Sequence, residues 1–276
     1  PHVMVLIDDP ERTVIEPLFA GVEQPLYEQP LYDVELMQGG GHVRGWLVSD
    51  RSTQDRVAQS LRRLLPTAAG DAMLYALGDG NHSVAAAKEV WEETGRSAPE
   101  RGGDHPARHV LVELVNVHDE GMTLEPIHRL LTGGEPADLL ERLVRYHQER
   151  GVNLHVAEPG DRPAGEREAE LPFLAGRRMG VLRLSTGGEG LQVVALAGIV
   201  DAFCDANADL TLDYIHGADV LQTLASRPGN LGFAATTIDK HQLFPTIRSG
   251  GPLPRKSFSM GEAEEKRYYL EARRIR

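Results

Sequence analysis

The segment LYALGDGNHSVAAAKEVWEETG, residues 74–95, carries the most informative pattern in the chain. An apolar run typical of a buried strand ends at Gly78 and Gly80, and an alanine-rich run typical of a helix follows. Four polar residues lie at this junction: Asp79, Asn81, His82 and Ser83. A helix start offers free backbone N–H groups and the positive end of the helix dipole. The segment therefore predicts a strand–turn–helix unit that binds phosphate, with glycines that let the backbone approach the ligand closely.

Other interpretations of this segment are open from the residues alone. In the simplest, Asp79 or Asn81 caps the helix and His82 is a surface residue. A dinucleotide-binding fingerprint would need an acidic residue about 20 positions further on, at the end of the next strand. The acidic pair Asp119 and Glu120 lies roughly twice that distance away, and no GxxxxGK[ST] motif occurs. The spacing therefore counts against both the Rossmann and the P-loop interpretation.

Composition limits the classes of function. The chain has 276 residues and a formal net charge of −12, which disfavours non-specific binding to nucleic acid or to acidic membranes. Cys204 is the single cysteine, so an intrachain disulfide and a cysteine-rich zinc site are excluded. The longest apolar run is too short to cross a bilayer, and no signal peptide is visible. We expect a cytoplasmic protein with a small-molecule ligand, while its oligomeric state stays open.

Alternating helical and strand patterns predict an α+β fold with mixed sheets and interleaved helices. Ser52 is the expected N-cap of a helix, Gly95 the expected end of another, and residues 179–197 read as a hairpin. The division expected is an α/β part over residues 1–135 and an α+β part over residues 136–276. The chain opens with a strand-like run and no initiator methionine, so we expect a longer natural protein.

Two further motifs carry candidate site residues. EPIHRLL contains Glu125, His128 and Arg129 just after a strand pattern, and a salt-bridged strand end is the alternative to a site. LPRKSFS contains Arg255 and Lys256, which predict a second phosphate contact in an acidic protein. The alternative is that these two basic side chains are exposed to solvent and bind no phosphate. LTLDYIHG adds polar residues that either line a pocket or cap a helix.

Metal sites have weak support. His105 and His109 have zinc-compatible spacing only within a helix, yet they straddle a loop and a strand pattern. Asp119 and Glu120 could hold Mg²⁺, although acidic loop residues are usually solvated. No Ser-His-Asp order or GxSxG motif supports hydrolase chemistry.

Four motifs in a fixed order resemble those of domain-of-unknown-function family 1015, which is related to free serine kinases. They are GDGNHSVAAAKEVWEE, HPARHVLVELVNVHDEGMTLEPIHRLL, LTLDYIHG and LPRKSFSM. The first also resembles the D-G-H-H-R-x-x-A-A motif of ParB/sulfiredoxin-type folds, whose helix start binds nucleotide phosphates. Here Asn81, His82 and Ser83 stand where His-His-Arg is common, so the arginine contact with phosphate is lost or replaced. Family members usually carry a further N-terminal segment.

The resemblance implies a ParB/sulfiredoxin-like nucleotide site and a small-molecule kinase that uses ATP or ADP with Mg²⁺. Free L-serine is the acceptor it favours. The implied catalytic residues are Asp79, His82 and Glu125. The implied nucleotide-binding residues are Gly78, Gly80, Asn81, Ser83, His128, Arg129, Arg255 and Lys256. The alternatives are a ParB-like nucleotide-binding switch or adaptor without turnover, and an inactive scaffold.

Overall fold

The computed structural model describes residues 3–19, 29–65, 73–97, 105–157, 168–185, 192–254, 256–261, 268 and 270–274. Contacts divide the chain into two compact units: unit 1 comprises Pro1–Thr123 with Met260–Arg276, and unit 2 comprises Leu124–Ser259. The boundary that the sequence suggested, between residues 135 and 136, falls inside unit 2 as the contacts define it. Arg255 lies outside the described residues.

Unit 1 contains two small sheets and three helices among its described residues. The elements are β1 Met4–Ile7, α1 Glu16–Phe19, β2 Tyr32–Glu35, β3 His42–Gly45, α2 Arg51–Arg63, β4 Ala76–Asp79, α3 Asn81–Ser97 and β5 Glu113–Asn116. Short 3₁₀ turns lie at Met37–Gly39 and Pro106–Arg108. β1 is the central strand of a sheet ordered β4-β1-β5, antiparallel to β4 and parallel to β5. β2 and β3 form an antiparallel hairpin.

Two helix ends in unit 1 differ from the sequence-based expectation. Asp50, and not Ser52, is the N-cap of α2: its backbone is extended and its carboxylate accepts a 2.8 Å hydrogen bond from the amide of Thr53. The hydroxyl of Ser52, already inside the helix, donates to the same carboxylate. α3 continues past Gly95 to Ser97, because Gly95 does not adopt the left-handed conformation that ends a helix.

Unit 2 is built on one seven-stranded sheet. Its elements are β6 Leu124–Thr132, α4 Pro136–Gln148, β7 Leu154–Val156, β8 Glu168–Ala175, β9 Arg178–Ser185, α5 Gln192–Leu196, α6 Ala202–Asp205, β10 Thr211–His216, α7 Ala218–Ala225, β11 Asn230–Phe233, α8 Leu243–Gly250 and β12 Phe258–Met260, the last residue of which belongs to unit 1. A π-helical turn, Ala197–Asp201, joins α5 to α6, and a 3₁₀ turn lies at Lys240–Gln242. The strand order is β10-β6-β11-β8-β9-β7, and β12 also pairs with β6.

The two faces of this sheet pack against different helices. On one face, Leu131 and Leu171 join a buried cluster with side chains of α4 and of the α5–α6 segment. On the other face, Leu130 packs against Leu221 and Ala225 of α7. Neighbouring residues of β6 therefore point to opposite layers, as the pleat of a strand requires.

The hairpin expected over residues 179–197 is half wrong. β9 pairs with β8, but the second half of the expected hairpin is helical from Gln192 onward. Leu196, Ile199 or Val200, and Phe203 recur every three to four residues and are all buried, which is a helical period and not the alternation of a strand. None of the described helices is long and apolar enough to cross a bilayer.

Candidate functional site

The start of α3 is open to solvent in unit 1. Gly80 has a φ of +87°, and the first helical hydrogen bond runs from the amide of Val84 to its carbonyl at 3.0 Å. Asn81 and His82 are exposed, while Gly80 and Ser83 are half-buried. The amides of the first turn have no carbonyl four residues earlier within the helix. The predicted strand–turn–helix unit is therefore present, with its N–H groups at an accessible helix start.

Asp79 lies at the junction of β4 and α3. Its Oδ1 accepts a 2.7 Å hydrogen bond from the amide of Gly80, which places a carboxylate beside the positive end of the helix dipole. The amide of Gly80 precedes the first helical residue, Asn81, so this contact differs from an N-cap, in which the side chain accepts from the second or third helical amide. The side chain of Asp79 also contributes to the wall of a cavity of about 800 Å³ in unit 1.

That cavity lies over one face of the three-stranded sheet. Met4 is paired with Asp79 of β4 on one side and with Glu113 of β5 on the other, so their side chains share a face. All three residues line the cavity, together with Tyr32 and Met260. Unit 1 thus brings a carboxylate, a helix start and a cavity together at Asp79.

Gly78 has a packing role that the sequence did not reveal. A Cβ atom built on Gly78 would lie 2.5 Å from Cε and 2.8 Å from Sδ of Met260, with Leu6 a further neighbour at 3.2 Å. The flexible end of the Met260 side chain therefore occupies the space that a Cβ atom at position 78 would take, and it would have to move aside. The predicted contact of Gly78 with a phosphate stays a prediction.

Arg129 of β6 is the centre of a buried polar network in unit 2. Its side chain is 0% exposed, and it forms a two-pronged ion pair with Asp201, with Nε–Oδ1 and Nη2–Oδ2 distances of 3.0 and 3.2 Å. The Tyr214 hydroxyl donates to Oδ2 of Asp201 at 3.3 Å, and the guanidinium carbon lies 4.7 Å from the Tyr214 ring centroid. We refer to Arg129, Asp201 and Tyr214 as the Arg129 cluster. Burial and the Asp201 carboxylate raise the pKa of Tyr214.

Lys256 is attached to this cluster at two points. Its carbonyl accepts a 3.0 Å hydrogen bond from Nη1 of Arg129, which also donates to the carbonyl of Ile127 at 2.6 Å. Its ammonium lies 4.1 Å from the centroid of the Tyr214 ring. Lys256 itself is exposed and has a φ of +55°, a conformation that is uncommon for a residue with a side chain.

His128 lies next to Arg129 in sequence but on the other face of the sheet. Its Nδ1 accepts a 3.0 Å hydrogen bond from the amide of Ala235, so the neutral ring carries its proton on Nε2. Burial, followed by the nearby His216 and Arg129, lowers the pKa of His128. A buried neutral imidazole is poorly suited to bind phosphate. Glu125, at the beginning of β6, is half-buried.

The predicted site residues therefore fall into two groups. Gly78 to Ser83 lie together in unit 1, and Arg129 and Lys256 lie together in unit 2. Sequence analysis missed Asp201, although a single acidic residue within the apolar run LAGIVDAF is a signal for a buried partner.

The described residues contain no group of three or more metal-ligating side chains. Nδ1 of His105 accepts a hydrogen bond from the amide of Ala107 in a turn, and Oδ1 of Asp119 accepts one from the amide of Gly121. Glu120 pairs with Arg12 at 3.3 Å. In the described part of the chain, these polar residues therefore form local turn and surface contacts.

Comparisons with known proteins identify a family. Residues 1–273 match the family described as protein of unknown function (DUF1015). No curated protein matches the chain in sequence.

Solved structures show distant similarity. A conserved hypothetical protein from Pyrococcus furiosus is 9% identical, with a TM-score of 0.41 over 95% of this chain and 92% of that chain. SbnI with a C-terminal truncation, from Staphylococcus aureus, is 12% identical, with a TM-score of 0.44 over 95% and 83% of the two chains. A free serine kinase in complex with AMP is 10% identical, with a TM-score of 0.40 over 94% and 83%.

Proposed function

The chain belongs to the DUF1015 family, and on that premise we propose that it is a nucleotide-dependent small-molecule kinase. The observation that carries the proposal is the position of Asp79, which borders both the open start of α3 and the cavity of unit 1. A phosphate held at the helix start and a hydroxyl compound held in the cavity would lie on either side of one carboxylate. L-serine is the acceptor favoured by the motif resemblance.

Phosphoryl transfer depends mainly on positioning and on neutralising charge. In this proposal the backbone amides from Asn81 to Ser83 donate hydrogen bonds to phosphate oxygens, with the His82 side chain beside them. Asp79 orients the acceptor hydroxyl and takes its proton, after the carboxylate leaves the amide of Gly80. The left-handed glycine lets the backbone turn toward the phosphates without a side chain in the way.

Mg²⁺ bound with the nucleotide would neutralise phosphate charge. Because the described residues offer no three-ligand cage, the phosphate oxygens, water and one carboxylate would supply most of the ligands, which is the usual pattern for nucleotide-bound Mg²⁺.

The two basic residues of unit 2 receive different roles. Arg129 is buried and its charge is neutralised by Asp201, so we assign it no direct phosphate contact. Lys256 is exposed, and its ammonium lies 4.1 Å from the centroid of the Tyr214 ring, so its phosphate contact stays a prediction. The predicted contribution of Arg255 stays a prediction.

The proposal is tested by binding and turnover. ATP, ADP and CTP binding would be measured by calorimetry, and phosphorylation of L-serine and other small alcohols by mass spectrometry. We expect His82→Ala and Gly80→Ala to weaken nucleotide binding, and His109→Ala to leave it unchanged, since His109 is an exposed histidine outside α3.

Three outcomes separate the candidate functions. Turnover that requires His82 supports the kinase. Tight nucleotide binding without transfer to any hydroxyl compound favours the nucleotide-binding switch. If no nucleotide binds, both functions are wrong.

A further inference from the structure

The β2–β3 hairpin forms one wall of the cavity in unit 1. Among the described strands, β2 and β3 pair only with each other. Tyr32 and Val43 line the cavity, and Val34 is paired with Val43 across the hairpin. The pleat places these three side chains on one face, and the 2.9 Å ion pair of Asp33 with Arg44 on the other. The hairpin is therefore amphipathic, with its largely apolar face toward the cavity.

The C-terminal segment, residues 268 and 270–274, contributes a second wall of the cavity through Tyr268 and Glu271. It contacts the hairpin at two hydroxyl groups. The Tyr268 hydroxyl donates to the carbonyl of Met37, which lies between β2 and β3. The Tyr32 hydroxyl donates to Oε1 of Glu271 at 3.0 Å. Burial and the Glu271 carboxylate raise the pKa of Tyr32, so its hydroxyl keeps the proton that it donates.

The rings of both tyrosines lie against glycines of the hairpin. A Cβ atom built on Gly40 would lie 2.0 Å from the hydroxyl oxygen of Tyr268, and one built on Gly45 would lie 2.2 Å from Cζ of Tyr32. Gly40 has a φ of −71° and a ψ of 7°, a turn conformation that residues with a side chain also adopt. A methyl group at position 40 would therefore displace the Tyr268 ring without straining the backbone.

The contacts between these two walls are weaker than those within the three-stranded sheet of unit 1. Both hydroxyl hydrogen bonds are exposed to solvent, where water competes for donor and acceptor. β1, by contrast, is hydrogen-bonded to a strand on each side, and its Leu6 and Ile7 are fully buried. Exposed hydrogen bonds open locally before a buried core does. We therefore expect the two walls to separate while the sheet stays folded.

We propose that Tyr32, Tyr268 and Glu271 form a latch that joins the hairpin to the C-terminal segment, and that the latch opens to admit the acceptor to the cavity and closes on it. Closure of this kind holds a substrate in place during the reaction. The statement about the acceptor rests on the proposed function, which assigns the cavity to it. The latch itself rests on contacts within unit 1 alone.

The first test asks whether the two contacts open together. N-acetylimidazole acetylates tyrosine hydroxyls, and mass spectrometry of the whole protein gives the rates at Tyr32 and Tyr268 relative to Tyr75, which is 48% exposed. Gly40→Ala touches only the Tyr268 contact. We expect it to raise the rates at both Tyr268 and Tyr32 severalfold, because release of one contact frees the segment that carries the other.

The reciprocal variant is Glu271→Ala, which removes only the partner of Tyr32. Because coupling between two contacts is mutual, it should also raise the labelling rate of Tyr268 severalfold. The matched control is Gly95→Ala in the same unit, where the added Cβ atom has no neighbour within 4 Å, and both rates should stay unchanged. All three variants should unfold at a temperature near or above that of the wild type, so faster labelling would not reflect global unfolding.

The second test is kinetic. Tyr268→Phe keeps the ring but loses the hydrogen bond to Met37, and we expect it to raise KM for the phosphorylated hydroxyl compound about three- to tenfold. KM for nucleotide should stay unchanged, because α3 is outside the latch. Adding Gly40→Ala to Tyr268→Phe should raise KM for the hydroxyl compound less than the two single effects predict, since both variants release the same contact.

Each outcome decides one part of the proposal. If Gly40→Ala accelerates labelling of Tyr268 alone and Glu271→Ala that of Tyr32 alone, the two contacts are independent and the latch is wrong. Coupled labelling with an unchanged KM for the hydroxyl compound would support the latch and overturn its role in admitting the acceptor. A wild-type protein that binds no nucleotide would overturn the proposed function and that role together, while the labelling rates would still decide the latch.

Discussion

Replacing Asp201 by asparagine would leave the Arg129 guanidinium buried without its counter-charge. Arg129 is 0% exposed and Asp201 20% exposed, so water cannot take over the lost interaction at Arg129. Two unit charges about 4 Å apart interact by about 4 kcal/mol at an effective dielectric constant of about 20. Breaking a buried pair from one side destabilises proteins by about 3–5 kcal/mol. Because asparagine keeps one acceptor oxygen for the arginine, we expect a loss of about 3 kcal/mol.

The matched control is Asp209→Asn in the same unit. Asp209 pairs with Arg142 at the same N–O distance of 3.0 Å, but the two side chains are 58% and 38% exposed, and exposed pairs contribute about 0–1 kcal/mol. In calorimetry, Asp201→Asn should lower the unfolding temperature of unit 2 by about 6–12 °C, and Asp209→Asn by no more than about 4 °C. Equal shifts for both variants would refute the argument that burial of Arg129 sets the magnitude.

Two further predictions concern pH and glycine. The folded-state pKa of His128 is lowered, chiefly by burial, so the unfolded state binds more protons below its ordinary pKa of about 6.5, and the free energy of unfolding should fall as the pH falls through that value. Urea titrations of the wild type from pH 7.5 to 5.5 should show this loss, and His128→Gln should show a shallower pH dependence; an unchanged slope would contradict the assignment. Gly78→Ala should destabilise unit 1 by about 0.5–1.5 kcal/mol, because the flexible end of the Met260 side chain must move to a less favourable position, and Met260→Ala should relieve that loss in the double variant. Gly95→Ala, inside α3 with no atom within 4 Å of the added Cβ, should instead stabilise the protein by about 0.5–1 kcal/mol. Thermal unfolding of both variants checks this, and an unfolding temperature of Gly95→Ala below that of Gly78→Ala would contradict the reasoning.

Local patterns predicted the elements whose determinants lie close together in sequence. The β4–α3 unit follows from an apolar run, two glycines and an alanine-rich run within residues 74–97, and its open helix start follows from the polar residues at the junction. The expected hairpin over residues 179–197 failed at its second half, because Gln192–Leu196 is too short to show its period without the helical residues that follow it. The sequence analysis assigned the N-cap of α2 to Ser52 instead of Asp50, because both are good capping residues and only the backbone conformation distinguishes them.

In the candidate site, too, some features could be predicted from local sequence and others depend on distant residues. That GDGNHS opens a helix could be read from the sequence, since strand, turn and helix propensities act over a few residues. The sequence could not show whether Arg129 contacts a ligand or a carboxylate, because Asp201 is 72 positions away and the Lys256 carbonyl is 127 positions away. The sheet pleat places Arg129 toward the α5–α6 layer and His128 toward the α7 layer. Because Arg129 is buried, its charge needs a carboxylate partner, whereas the charge of Lys256 is exposed to solvent. The residue types were determined by the sequence alone, but their burial and partners were decided by tertiary packing, because the electrostatic role of a charge depends on which distant groups remove it from water.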